Sequence, residues 1–121
     1  MAIGDDVKGL LDMVRPMIAL YVGGMGAKGR NFYNSLFRRY GYEAEAEQIQ
    51  DLYLDGKKKE AAALIPTDFL EAISLVGPAG YVQERMAAFA EAGVTHLNVI
   101  PVPTGDQTQA GLVTQLKEWS A

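Results

Sequence analysis

Apolar residues recur at helical spacing over most of the chain. Val7, Leu10, Leu11 and Val14 share one face of a first helix, and the Asp5 or Asp6 side chain can cap its start. Pro16 lacks the amide that a helix interior needs, so it is expected to kink or restart this helix. Apolar character continues from Ile18 to Val22. The segment Gly23 to Gly29 holds four glycines in seven residues and reads as a loop. A second helix is predicted from Asn31 to Tyr40, with Phe32, Leu36 and Phe37 on its inner face and Gly41 placed to end it. A third runs from about Glu43 to Leu54 and buries Ile49, Leu52 and Tyr53. A short alanine-rich helix covers Lys57 to Leu64, and Pro66 stands in the first turn of another that reaches about Leu75. Gly77 stops that helix. Pro78 opens the next, whose buried stripe is Val82, Met86, Phe89 and Ala90, and Gly93 ends it.

The pattern changes at Thr95. Residues 95–100 have the β-branched content and alternation of a strand, closed by Pro101 and Pro103. A strand stub is conceivable at Met1 to Ile3. A final helix, from about Asp106 to Trp119, carries Leu112, Val113, Leu116 and Trp119 on one side. One strand cannot satisfy its own backbone donors and acceptors. The helix–Gly–strand–helix order from Pro78 to Trp119 is that of α/β proteins with parallel strands. The strand's neighbours are therefore expected outside residues 1–121, in the front of a longer protein or in another copy of the chain. The competing reading is an extended connector at 95–100 on a helical bundle.

Composition narrows the function classes. The 121 residues suit a single domain, here a partial one over residues 1–121, with 49% hydrophobic and 21% charged residues. A net charge of −4 disfavours a nucleic-acid partner, which needs a basic footprint. The chain has no cysteine and one histidine, His96, which excludes thiolate chemistry and disfavours a histidine metal centre. The apolar runs are shorter than the ~20 residues of a membrane span. The acidic N-terminus lacks the basic start of a signal peptide, so a cytoplasmic protein is expected.

The stretch Ala72-Ile73-Ser74-Leu75-Val76-Gly77-Pro78, then Val82-Gln83-Glu84-Arg85-Met86 and Ala92-Gly93-Val94-Thr95-His96-Leu97, resembles the closing segment of luciferase-like monooxygenases. The run from Val14 to Gly26, Asn31-Phe32-Tyr33 and Arg39-Tyr40-Gly41-Tyr42 are similar to the deazaflavin-dependent subgroup of that family. The resemblance covers nearly all of residues 3–103. It implies an α/β fold, the C-terminal fragment of a (β/α)8 TIM barrel, since family members are barrels of roughly 300 residues or more. It also implies a parent enzyme that uses coenzyme F-420, a deazaflavin, with FMN as the alternative cofactor. Most family residues that hold the ring, and the usual acid–base candidates, lie on earlier strands. No catalytic residue can be carried over to this chain.

The glycine-rich loop is the best candidate site. Gly23, Gly24 and Gly26 offer bare backbone to a phosphate, Lys28 and Arg30 add charge, and the helix amides near Asn31 could face an anion. Arg38 and Arg39 make four cations, with no acid, between residues 28 and 39. The pattern is neither a Walker loop nor a dinucleotide fingerprint, and a connector with solvated charges is the competing reading. His96 and Asn98 alternate with Leu97 and Val99, which in a barrel would point the polar pair into the lumen. Tyr33 is the aromatic residue best placed to meet a ligand. Glu43, Glu45, Glu47 and Asp51 read as a solvated helix face, and Lys57-Lys58-Lys59 as a solvated turn.

The expected function is therefore that of a parent oxidoreductase transferring a hydride between reduced deazaflavin and a small organic substrate. This chain is expected to be inactive alone, and to form a homo-oligomer or complete a missing N-terminal barrel half. A helical self-association module without catalysis is the rival from another class; an FMN-dependent monooxygenase is the rival within it.

Overall fold

A computed structural model of the chain describes residues 1–120. The elements are β1 (Ala2–Ile3), α1 (Val7–Ala19), α2 (Phe32–Arg39), α3 (Glu43–Leu54), α4 (Lys58–Ala63), α5 (Thr67–Ile73), β2 (Val76–Gly77), α6 (Ala79–Glu91) and α7 (Gln109–Ser120). A π-helical turn, Leu20–Gly24, follows α1 directly. Two compact units result, one of residues 1–10 with 73–120, the other of residues 11–72.

The first unit is built on a two-stranded parallel sheet in which Ala2 pairs with Val76 and Ile3 with Gly77. Ala2 N–H donates to Leu75 O at 2.9 Å and Gly4 N–H to Gly77 O at 3.0 Å. The strand stub at the N-terminus is thus a strand. Its partner arises where a helix end was expected, because α5 stops at Ile73 and releases Val76 and Gly77 into extended backbone. Ile3, Leu75, Val82 and Leu112 form the core, with Met86, Phe89, Val99 and Trp119 packed around them. The predicted stripes of α6 and α7 therefore face inward, except that Ala90 and Val113 are exposed.

The expected strand at 95–100 is not one. Residues 95–100 join no strand ladder, and Leu97 and Ile100 are 42% and 64% exposed. A single parallel-type link forms at the end of this segment, where the Met1 amine donates to Ile100 O at 2.6 Å and Val102 N–H to Met1 O at 2.8 Å. That link lies on the edge of β1 opposite β2. Strand pattern alone does not make a strand; a ladder needs a second backbone along its length.

In the second unit, Ile49, Ile65, Leu70 and Phe37 are buried to 2% exposure or less. Phe37 stacks on Tyr42, with ring centroids 4.9 Å apart, and meets Phe69 edge-on at 4.7 Å. Phe32, expected on the inner face of α2, is instead 69% exposed. Helix α1 does not restart at Pro16; it runs through this residue to Ala19 and widens into the π turn. Arg15 holds the unit's far end, its guanidinium bonding Asp12 at 2.7 Å, the carbonyl of Ile65 and Thr67 Oγ1 at 3.2 Å. It thereby satisfies a carbonyl just past the end of α4.

Candidate functional site

The glycine segment divides into two parts with different jobs. Gly23 and Gly24 belong to the π turn rather than to a loop, which corrects the expected loop boundary. Tyr53 of α3 lies directly against them. A Cβ added at Gly23 would stand 2.6 Å from Tyr53 Cβ and 3.2 Å from the carbonyl oxygen of Ile49, and one at Gly24 would overlap the Tyr53 ring. Bare backbone at these positions is thus occupied by an aromatic side chain of the same unit. The turn proper is 25–31. Gly26 (φ +151°) and Gly29 (φ +76°) take conformations that side chains resist, and a Cβ on Gly26 would lie 2.6 Å from Arg30 O.

Two asparagines join this turn to the helices around it. Asn31 Oδ1 accepts from Asn34 N–H at 3.1 Å and so caps α2. Its Nδ2 donates backwards to the carbonyls of Tyr21 and Val22, at 3.0 and 3.2 Å. Asn34 Nδ2 donates to Val22 O at 3.0 Å and to Ala46 O at 2.9 Å. Carbonyls at the end of a helix lack intrahelical partners, and at Tyr21 and Val22, in the closing π turn, buried amides supply them. Both asparagines are under 5% exposed. The Asn31 side chain is therefore committed to the fold. The role of Asn34, three residues on, could not be assigned from sequence because its partners are backbone atoms 12 residues away in either direction.

Beside this lock, α2 and α3 frame a pocket of about 260 Å³. Lys28, Ser35, Arg38, Glu47 and Gln50 supply its functional groups, with Gly29, Asn31 and Asn34 completing the wall. Lys28 forms an ion pair with Asp51. Arg38 Nε donates to Asn34 Oδ1 at 2.9 Å. Gln50 is 3% exposed, yet its Nε2 has no hydrogen-bond partner. Of the loop's cations, Lys28 lines this pocket, whereas Arg30 is exposed and does not. The acidic face of α3 was not separable into roles by spacing: Asp51 holds Lys28, and Glu47 reaches the pocket.

The other candidates stand apart. His96 and Asn98 are exposed, and His96 Nδ1 lies 3.1 Å from Thr95 Oγ1. Tyr33 is 42% exposed and meets Tyr21 edge-on at 4.8 Å. Lys58 lies over the Tyr53 ring at 5.4 Å, and Lys57 sits 3.5 Å from Asp55. Among the described residues no three His, Asp or Glu side chains converge to hold a metal, and no helix is long and apolar enough to cross a membrane.

Helices leading into and out of a parallel sheet place the first unit in the α/β class. The sequence model of the luciferase-like monooxygenase family matches residues 1–96, and the chain belongs to that family. It is similar to a protein of Mycobacterium tuberculosis (strain ATCC 25618 / H37Rv) whose name assigns it, provisionally, to the coenzyme F420-dependent oxidoreductases. The two are 37% identical over 97 residues, which is 80% of this chain and 28% of that relative. The chain thus spans under a third of the relative's length. No solved structure matches it significantly.

Proposed function

We propose that this chain is the C-terminal part of a luciferase-like barrel whose whole protein transfers a hydride between a reduced deazaflavin and a small organic substrate. The observation that carries the reading is the segment 95–100, which joins no strand ladder. It has strand composition, follows the family's closing motif, and sits next to a parallel sheet only two residues long per strand. Further barrel strands would give its backbone the partners it lacks. The name of the relative supports a deazaflavin rather than FMN.

Gly23 and Gly24 lie against Tyr53 on the side where a Cβ would stand, so their lack of a side chain serves that close approach. Lys28 and Arg30 retain the charge to meet a cofactor phosphate, and Gly26 shapes the turn that presents them. The deazaflavin supplies the hydride chemistry when bound; these residues would orient an anionic group of it or of the substrate. A second reading, self-association, is favoured by Met13, Met17 and Leu20, which repeat on one face of the α1–π segment at 53%, 41% and 38% exposure.

The test compares this chain alone with a longer frame that contains it. Reduced deazaflavin and FMN are each supplied, and oxidation of the cofactor is followed by absorbance. The expected result is turnover with deazaflavin by the longer protein and none by the 121 residues. Turnover by the short chain would refute its dependence on further strands. Turnover with FMN alone would replace the deazaflavin assignment. Sedimentation of the short chain as a monomer at all concentrations would remove the self-association reading.

A further inference from the structure

The pocket between α2 and α3 has chemistry that the redox reading does not use. Asn31 and Asn34 are spent on backbone carbonyls, and Ser35 Oγ donates to Asn31 O at 3.1 Å. What remains in the wall is a set of donors. Arg38 uses only Nε on Asn34, leaving its terminal nitrogens for another acceptor. Lys28 spends one direction on Asp51 and retains further ammonium donors. The Gln50 amide is buried with its Nε2 unpartnered. An unmet buried donor is costly, and the amide can turn about its broad terminal torsion to offer that donor to the pocket. Lys28 is already paired with Asp51, so Arg38 is the wall's cation without an acidic partner among the described residues, with the Glu47 carboxylate on the same wall.

We propose that this pocket binds a small oxyanion, a carboxylate or a phosphate group, with Arg38 and Gln50 as its principal donors and Lys28 at its edge. Donors outnumber acceptors here, and an anionic oxygen would satisfy both the guanidinium and the amide. Glu47 opposes the anion and tunes affinity downward. The site lies wholly within residues 28–50 and does not depend on which redox cofactor the protein uses.

Inorganic phosphate and acetate, titrated separately into the isotope-labelled full chain at constant ionic strength, test this by nuclear magnetic resonance. Saturable shifts of the Gln50 side-chain amide and the Arg38 Nε–H are expected with at least one of them. A dissociation constant lower by tenfold or more for one anion identifies its chemistry; comparable values assign a general oxyanion site. Glu47→Gln should tighten binding several-fold, and Arg38→Met should weaken it about tenfold or more. The proposal is overturned if neither anion shifts Gln50 saturably, or if the shifts are indifferent to both substitutions. Glu47 is exposed, so its variant keeps the test valid even should the Arg38 variant fold poorly. Failure here leaves deazaflavin turnover untouched, and loss of turnover leaves these shifts untouched.

Discussion

Two glycine-to-alanine substitutions should move stability in opposite directions. In an open helical position, alanine removes unfolded-state freedom and gains about 0.4–1 kcal/mol. Gly80 in α6 is such a position: an added Cβ meets nothing within 4 Å. Gly23 is the contrary case. Its new Cβ would lie 2.6 Å from Tyr53 Cβ, 2.9 Å from Tyr53 Cγ and 3.2 Å from Ile49 O. The obstruction is the root of a side chain and a backbone carbonyl, neither of which swings aside as a long side-chain tip would. Overpacking of this kind costs about 1–3 kcal/mol, which exceeds the propensity gain and leaves a net loss of roughly 0.5–2 kcal/mol. Urea unfolding followed by circular dichroism at the helix band reads both variants. One kcal/mol corresponds to about 4–8 °C in Tm for a domain of 60–100 residues, so thermal scans also resolve the difference. Tyr53→Ala in the Gly23→Ala background should recover little of the loss, since the Tyr53 Cβ and the Ile49 carbonyl both remain in place. If Gly23→Ala stabilises the chain as Gly80→Ala does, the helix–Tyr53 packing assigned to this segment is wrong.

Asn34→Ala removes the amide that reaches Val22 O and Ala46 O and should cost about 1–3 kcal/mol in urea unfolding, with Asn34→Asp worse because it turns an oxygen toward two carbonyls. Desolvation, then the hydrogen bond to Asp68 at 3.0 Å and the charges of Asp68 and Glu45, hold the Tyr42 phenol above its ordinary 10.0. The folded state therefore keeps this proton to higher pH than the unfolded chain, and stability should fall as pH rises past about 10; Tyr42→Phe should flatten that limb, and an unchanged slope would exclude Tyr42 as its source. Backbone amides 95–100 donate no hydrogen bond among the described residues, so hydrogen exchange should be fast there in the isolated chain and slowed in a longer protein that adds strands. Equal protection in both would contradict the barrel reading.

Local pattern determined most of the helices. The helix expected from about Glu43 to Leu54 is found there, because breakers and a 3.6-residue apolar stripe act within a few positions of one another. Asn31 was legible as a helix start for the same reason. The family resemblance, carried by motifs from Ala72 to Leu97 and from Val14 to Tyr42, was also present in the sequence and agrees with the match over residues 1–96. What lay beyond sequence were the relations between distant segments. Strand pairing of Ala2 with Val76 joins residues 74 positions apart, and no periodicity announces a two-residue strand. The segment 95–100 had strand composition but no backbone along its length, and hydrogen-bond partners, not composition, make a strand. Gly23 and Gly24 read as a loop because glycine marks both flexible turns and close approaches; only the position of Tyr53 on a facing helix decides between them. Gly23 and Gly24 thus serve packing, while the pocket depends on Arg38, Glu47 and Gln50, whose shared wall exists only once α2 and α3 lie side by side.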